Sequence, residues 1–310
     1  RPPGGVKMSR MPALLSARNI TKLYGSTVAL HDVTLDVEEG TTGLLGANGA
    51  GKSTLMTLFL GIIRPTSGDF RVFGEDGNDP VQAHRLIGYS PEYECLPPNV
   101  SATEFTTHMA RVSGLPRTEA RTRATDVLRH VGLDEERYRS MGTYSTGMKQ
   151  RAKLAQAIVH GPQLVLLDEP TAGLDPAGRL EMLELIARTS NEFGISMLIS
   201  SHLMGDIERT CERIIVLEAG GLLEQGDVSG YTTDTETLVL EFDEGIEAVA
   251  AALANKGIAA TSEGRSLLVE DASQEDLDTI RDAIVETGAY LHRLAPRAHT
   301  LSDIFRRSAS

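Results

Sequence analysis

The chain has 310 residues, enough for two domains with real buried cores, which excludes a disulfide-stapled miniprotein. Hydrophobic residues make up 41% and charged ones 24%, and no apolar run approaches the ~18–20 residues of a membrane-spanning helix, so no span is expected. Thirty Lys plus Arg against 43 Asp plus Glu leave a formal net charge of −13, the wrong sign for gripping nucleic-acid phosphates along a broad surface.

In chain order, the first stretch is rich in Pro and Gly and shows no periodicity, so residues 1–13 are expected to form a mobile tail. Up to His31 it carries Arg1, Lys7, Arg10, Arg18 and Lys22 and no acid; a solvated tail is the plainer reading, contact with anionic lipid the other. From Leu14 to Asp227, short β-type runs punctuated by Gly alternate with helical patterns, which predicts an α/β domain with a largely parallel sheet. A turn-rich joint, GDVSGYTT, follows at Gly226–Thr233.

Beyond the joint the pattern reads β (Thr237–Phe242), α (Ile246–Lys256), β (Ile258–Thr261), β (Ser266–Glu270), α (Gln274–Glu286), β (Ala289–Leu294). This is the order of a ferredoxin-like split unit, and predicts a small α+β domain over 231–310 after a larger one over 14–230. A last helix is expected at Leu301–Arg307. Residues 231–310 hold 15 acidic and 7 basic residues, so most of the chain's excess charge belongs to this appendage. Cys95 and Cys211 form no CxxC and have no neighbouring His, so they are read as packing residues of a reduced, cytosolic protein.

The strongest chemical signal is GANGAGKST at Gly46–Thr54. It fits GxxxxGK[ST] and lies after a β-type run, Thr41–Leu45, and before an apolar helical run, Leu55–Leu60. Gly46, Gly49 and Gly51 let the backbone turn its N–H groups around a phosphate, and a helix opening near Lys52 adds its positive end. Asn48, Ala50 and Thr54 complete the cradle. Lys52 is placed to bridge β- and γ-phosphates, and the Ser53 hydroxyl is a ligand for Mg²⁺, which prefers oxygen donors.

A second oxygen donor is expected from Asp168, which ends the apolar run Gln163–Leu167 and would lie beside the cradle as a Mg²⁺ ligand. Glu169 comes next. By strand alternation it should aim differently from Asp168, toward the γ-phosphate and an attacking water, as the candidate general base.

A phosphate cradle with an acidic strand is shared by many nucleotidases; the stretch between them is more specific. Tyr144–Arg151 reads YSTGMKQR, opens a long helical pattern, and ends 17 residues before Asp168. It resembles the LSGGQ signature of ABC ATPases. The other marks of that family fall in order: Tyr24, where an aromatic stacks on adenine; Glu92 in a Q-loop, IGYSPE; a D-loop, AGLD, at Ala172–Asp175; and His202 in SSH. The resemblance covers residues 14–227. It implies a P-loop ATPase core with a helical subdomain inserted at about 92–160. It also implies that Ser145 and Gly147 close over the γ-phosphate held by a second copy, so that two chains sandwich two ATP molecules with Mg²⁺. In that family His202 contacts the γ-phosphate and orients water together with Glu169, and Asp175 belongs to the dimer-facing loop.

Two departures stand out. Thr146 and Met148 replace Gly and Gln of the signature, while Ser145 and Gly147 are kept. Glu92 replaces the Q-loop Gln, keeping an oxygen for Mg²⁺ or water but losing an amide donor and adding negative charge. Both features resemble the ATPase subunits of ABC-2 type exporters. The resemblance implies a cytoplasmic ATPase on the inner face of the cell membrane, driving a separate integral-membrane permease, with the groove for its coupling helix near Tyr93–Ser101. The small C-terminal domain resembles the accessory domain of such subunits and is read as a homodimer contact. The alternatives are a soluble ABC ATPase and, because of Glu92, a nucleotide-gated switch of low turnover. Against the first, there is one P-loop, and only 93 residues separate Lys52 from Ser145.

Overall fold

The computed structural model describes residues 13–78, 83–231, 234–269 and 274–298. Residues 1–12 of the expected tail and the expected helix Leu301–Arg307 lie outside the described residues. The chain divides into two compact units, Arg1–Val228 and Ser229–Ser310.

The first unit opens with β1 (Leu15–Tyr24), β2 (Thr27–Val37) and β3 (Thr41–Leu45), then α1 (Lys52–Phe59), β4 (Ser67–Val72), β5 (Glu75–Asp76) and β6 (Ile87–Ser90). Helices α2 (Ala102–Val112), α3 (Arg117–His130) and α4 (Thr146–Ile158) follow, then β7 (Leu164–Asp168), α5 (Pro176–Phe193), β8 (Ser196–Ser201), α6 (Met204–Thr210), β9 (Arg213–Glu218) and β10 (Gly221–Asp227). A short helix, α7 (Val228–Tyr231), ends the stretch.

The largely parallel sheet expected over 14–227 accounts for only part of this unit. Strands β9, β3, β8, β7 and β6 are parallel neighbours, with β10 antiparallel at the β9 edge, whereas β2, β1, β4 and β5 form a separate antiparallel sheet. The reason is connection length: only Gly25 and Ser26 separate β1 from β2, and a parallel return needs a dozen or more residues. Every residue of β3, β7 and β8 is buried, as expected of parallel strands covered on both faces, which explains the apolar run Leu164–Leu167 of β7. Beneath β3, the face of α1 carrying Leu55, Met56, Leu58 and Phe59 packs into the core shared with β1, β2 and β4. Each such side chain contributes roughly 1.5–3 kcal/mol by leaving water.

Helix starts follow local capping chemistry. Ser101 and Glu104 form a reciprocal capping box on α2. Ser145 Oγ accepts from the Met148 amide at the start of α4, and Asp175 Oδ1 accepts from the Gly178 amide at the start of α5, behind Pro176. The backbone of α4 lies so close to β6 that a Cβ on Gly88 would sit 2.0 Å from the Ala157 carbonyl oxygen, which fixes this helix against the sheet.

The second unit contains β11 (Asp234–Phe242), α8 (Ile246–Asn255), β12 (Ala260–Glu263), β13 (Ser266–Val269), α9 (Gln274–Thr287) and β14 (Leu291–Ala298). β11 starts three residues earlier than expected, and β12 and β14 each start two residues later. The strands form one antiparallel sheet in the order β12-β13-β11-β14. Its core gathers Leu240, Phe242, Val249, Leu253, Leu267 and Ile280.

Candidate active site

The loop from β3 to α1 turns through Gly51, whose φ of 101° belongs to the left-handed region, and a Cβ there would lie 2.6 Å from the Ala29 carbonyl oxygen. Unlike α2, α4 and α5, helix α1 has no side-chain cap among the described residues. Its first-turn N–H groups therefore face a cavity of about 310 Å³ lined by Ala47, Asn48, Gly49, Gly51, Lys52, Ser53 and Thr54. Glu92 and Glu169 complete its wall, and Thr27–Ala29 of β2 form its rim. An open N-terminal end with a buried ammonium beside it fits a polyphosphate. Gly46 and Ala50 belong to the loop without lining the cavity.

Lys52 is 6% exposed, and its Nζ donates to the Gly46 carbonyl at 2.7 Å while pairing with Glu169 Oε1 at 3.2 Å. The other carboxylate oxygen of Glu169, Oε2, lies 2.9 Å from His202 Nδ1, within reach of an Nδ1–H donor. The three predicted catalytic residues thus meet in one cluster. Strand alternation is not what aims Glu169: its φ is 46°, so the backbone itself turns as β7 ends. Ser200 of β8 holds this turn, accepting from the Glu169 amide at 2.9 Å and donating to Asp168 Oδ1 at 2.6 Å. One buried hydroxyl therefore fixes the Asp168 carboxylate and the Glu169 backbone, a link that sequence reading passed over; its signal was the polar pair Ser200–Ser201 at the end of an apolar strand. Thr171 Oγ1 donates to Asp206 Oδ2 at 2.8 Å, a second buried link between the segments after β7 and β8.

The three residues singled out for a metal, Ser53, Asp168 and Glu92, line a second cavity of about 600 Å³. Its oxygen donors suit a hard cation such as Mg²⁺, and Gln150 Oε1 is buried on the same wall with no hydrogen-bond partner. Tyr89 and Lys153 also line it. Burial, with Asp168 nearby, pushes the Tyr89 phenol up, and burial holds Lys153 below the usual lysine range.

The remaining predicted residues stand apart from this cluster. Tyr24, half exposed, pairs with Thr27 at the rim of the first cavity without lining it, and Lys22 Nζ lies 5.0 Å from its ring. Ser145, Gly147 and Asp175 are at the starts of α4 and α5 and line neither cavity. Next to the expected coupling groove, Tyr93 is 68% exposed, and Pro98 accepts from Gly142 and Ser140.

The fold and this arrangement of a phosphate loop with paired carboxylates define a P-loop nucleotidase. Residues 30–172 match the family model described as ABC transporter. The bacitracin transport ATP-binding protein of Bacillus licheniformis is 37% identical over 217 residues, covering 69% of this chain and 70% of that protein. A protein of Enterococcus faecalis with the same name is 31% identical over 305 residues, 97% of each chain. Among solved structures, CbiO1 of Clostridium perfringens, part of an ABC transporter complex, gives a TM-score of 0.64 at 28% identity, covering 70% of this chain and 90% of that one. A dimeric ATP-binding cassette in a post-hydrolysis state with ADP and Pi gives 0.63 at 25%, covering 69% and 98%. The chain belongs to the ABC transporter family: it is an ATP-binding subunit, and an ATPase.

Proposed function

We propose that two copies of this chain close around two Mg-ATP and, by hydrolysing them, drive a separate integral-membrane permease of the ABC-2 type to export its cargo. The observation that carries this reading is the cluster of Lys52, Glu169 and His202 at the mouth of a phosphate loop. Lys52 holds terminal phosphate, and Glu169, oriented by His202, accepts the proton of the attacking water. The charge and orientation these residues supply account for the rate, with no covalent step. Mg²⁺ would be held by Ser53 and Asp168, with Glu92 beside them, and adds charge stabilisation when bound.

Ser145 and Gly147, on an N-terminal helix end and lining neither of the chain's own cavities, are read as completing the site of the partner copy, next to Asp175. Tyr24 is read as stacking on adenine at the rim. Names of relatives, transport of bacitracin and resistance to linearmycin, support export. No helix among the described residues is long and apolar enough to cross a membrane, in keeping with a subunit held at the inner face of the membrane by its permease. We read 14–230 as the ATPase domain, with its inserted helices at about 92–160, and 231–310 as a ferredoxin-like dimerisation domain; the βαββαβ order and the strand order of its sheet support that reading.

Glu169→Gln tests the whole reading. It should retain ATP binding, lose about 10²–10⁴ in turnover as expected for removal of a general base, and accumulate as a dimer with Mg-ATP. A variant that is only monomeric under those conditions, or that hydrolyses normally, would overturn it.

A further inference from the structure

One buried charge has no part in the machinery described so far. Lys153 lies about two turns into α4, flanked by Ala152, Leu154 and Ala155, and is 4% exposed. Removing an ammonium from water is costly unless hydrogen bonds and opposite charge offset it. Its Nζ donates to the Glu92 backbone carbonyl at 3.0 Å. The groups within its electrostatic reach are Cys95, Asp168, Glu92 and Glu94. One turn earlier Lys149 pairs with Glu94, so two lysines four residues apart on α4 both address the segment 92–94. Lys153 also shares a cavity wall with Ser53, Asp168 and Glu92.

We propose that Lys153 is a positioning residue for hydrolysis: its ammonium fixes the backbone at Glu92 and offsets the negative charge that this glutamate adds beside Asp168. The inference rests on reading Glu92 as facing the nucleotide. Lys153 acts through Glu92, whose backbone carbonyl it holds. Its removal leaves the phosphate loop intact, so the cost falls on turnover and not on ATP affinity. A neutral residue at 92 needs no offset, so the cost of losing Lys153 depends on what stands at 92.

The test is a double-mutant cycle on the full chain, with Lys153→Met and Lys153→Arg each made in the native and Glu92→Gln backgrounds, read as kcat, KM and ATP Kd. Lys153→Met should lower kcat about tenfold or more in the native background with Kd moved less than about threefold, yet cost threefold or less when Glu92 is already Gln. Lys153→Arg, which keeps the charge, should recover most of the turnover. Equal losses in both backgrounds, or a loss carried by Kd, overturn the proposal. If Lys153→Met proves too unstable to purify, Lys153→Gln, which keeps a donor and removes the charge, is judged by the same background dependence. Normal hydrolysis by Glu169→Gln would sink the reading of the site itself; a lost turnover there with background-independent losses at Lys153 sinks this inference alone.

Discussion

The two units of the chain place their charges in opposite ways. In the first, Lys52, Lys153, Asp168 and Glu169 are buried and meet other polar groups around two cavities. In the second, ion pairs such as Lys256 with Glu286 and Arg265 with Asp243 leave their acids more than half exposed, and the side chains gathered in its core are apolar. Buried charges cost roughly several kcal/mol each to desolvate, so a fold retains them where they act on a ligand; exposed pairs contribute little. Charge substitution should therefore damage activity in the first unit, and apolar truncation should damage stability in the second.

The largest expected effect is at the phosphate loop. Lys52→Ala should weaken ATP binding about 30-fold or more, the scale of removing one partner from a buried charge pair, with little change of fold. Titration with a fluorescent ATP analogue checks this, and equal affinity in both proteins breaks the contrast between the units. Next comes the apolar core of the second unit. Leu240→Ala, at a fully buried site of β11, should destabilise that unit by about 2–5 kcal/mol. An unchanged urea midpoint by circular dichroism would show that packing is not what holds it.

A smaller effect is pH-dependent and belongs to the first unit. Burial holds the His160 imidazole below its ordinary value of 6.5, against the opposing influence of the Ile87 carbonyl at 3.1 Å. His130 is shifted in the same direction by burial. The unfolded chain therefore takes up these protons first as the pH falls. Stability should be flat above about pH 6.5 and decline below it until the folded imidazoles also titrate. Melting curves across that range, compared with His160→Gln, should show a shallower decline in the variant; identical slopes exclude His160 as a contributor. The smallest effect sharpens the comparison from the other side. Lys256→Ala removes an exposed pair and should cost less than about 1 kcal/mol. A loss as large as that of Leu240→Ala would show that surface charge matters in the second unit after all.

Much of the site was legible in the sequence because its parts are contiguous. GANGAGKST reads as a loop between strand and helix without knowledge of anything else, and Asp168 followed by Glu169 reads as the end of a buried strand. The βαββαβ alternation of the second unit was legible for the same reason, with some strand ends displaced by two to four residues. The separate antiparallel sheet was not, because β1 pairs with β4 across more than forty residues and no local pattern announces the partner. Ser200, Asp206 and Lys153 were missed because their meaning lies in what they touch.

By itself the sequence determined the elements and the reactive groups, since periodicity, capping and the phosphate loop depend on residues a few positions apart. Only the tertiary structure decided which groups meet. His202 reaches Glu169 from 33 residues away, Ser200 ties the Asp168 carboxylate to the Glu169 backbone, and a left-handed backbone at Glu169 aims its carboxylate at Lys52. The physical reason is that hydrogen bonds and ion pairs act over a few ångströms of space, whatever their separation along the chain.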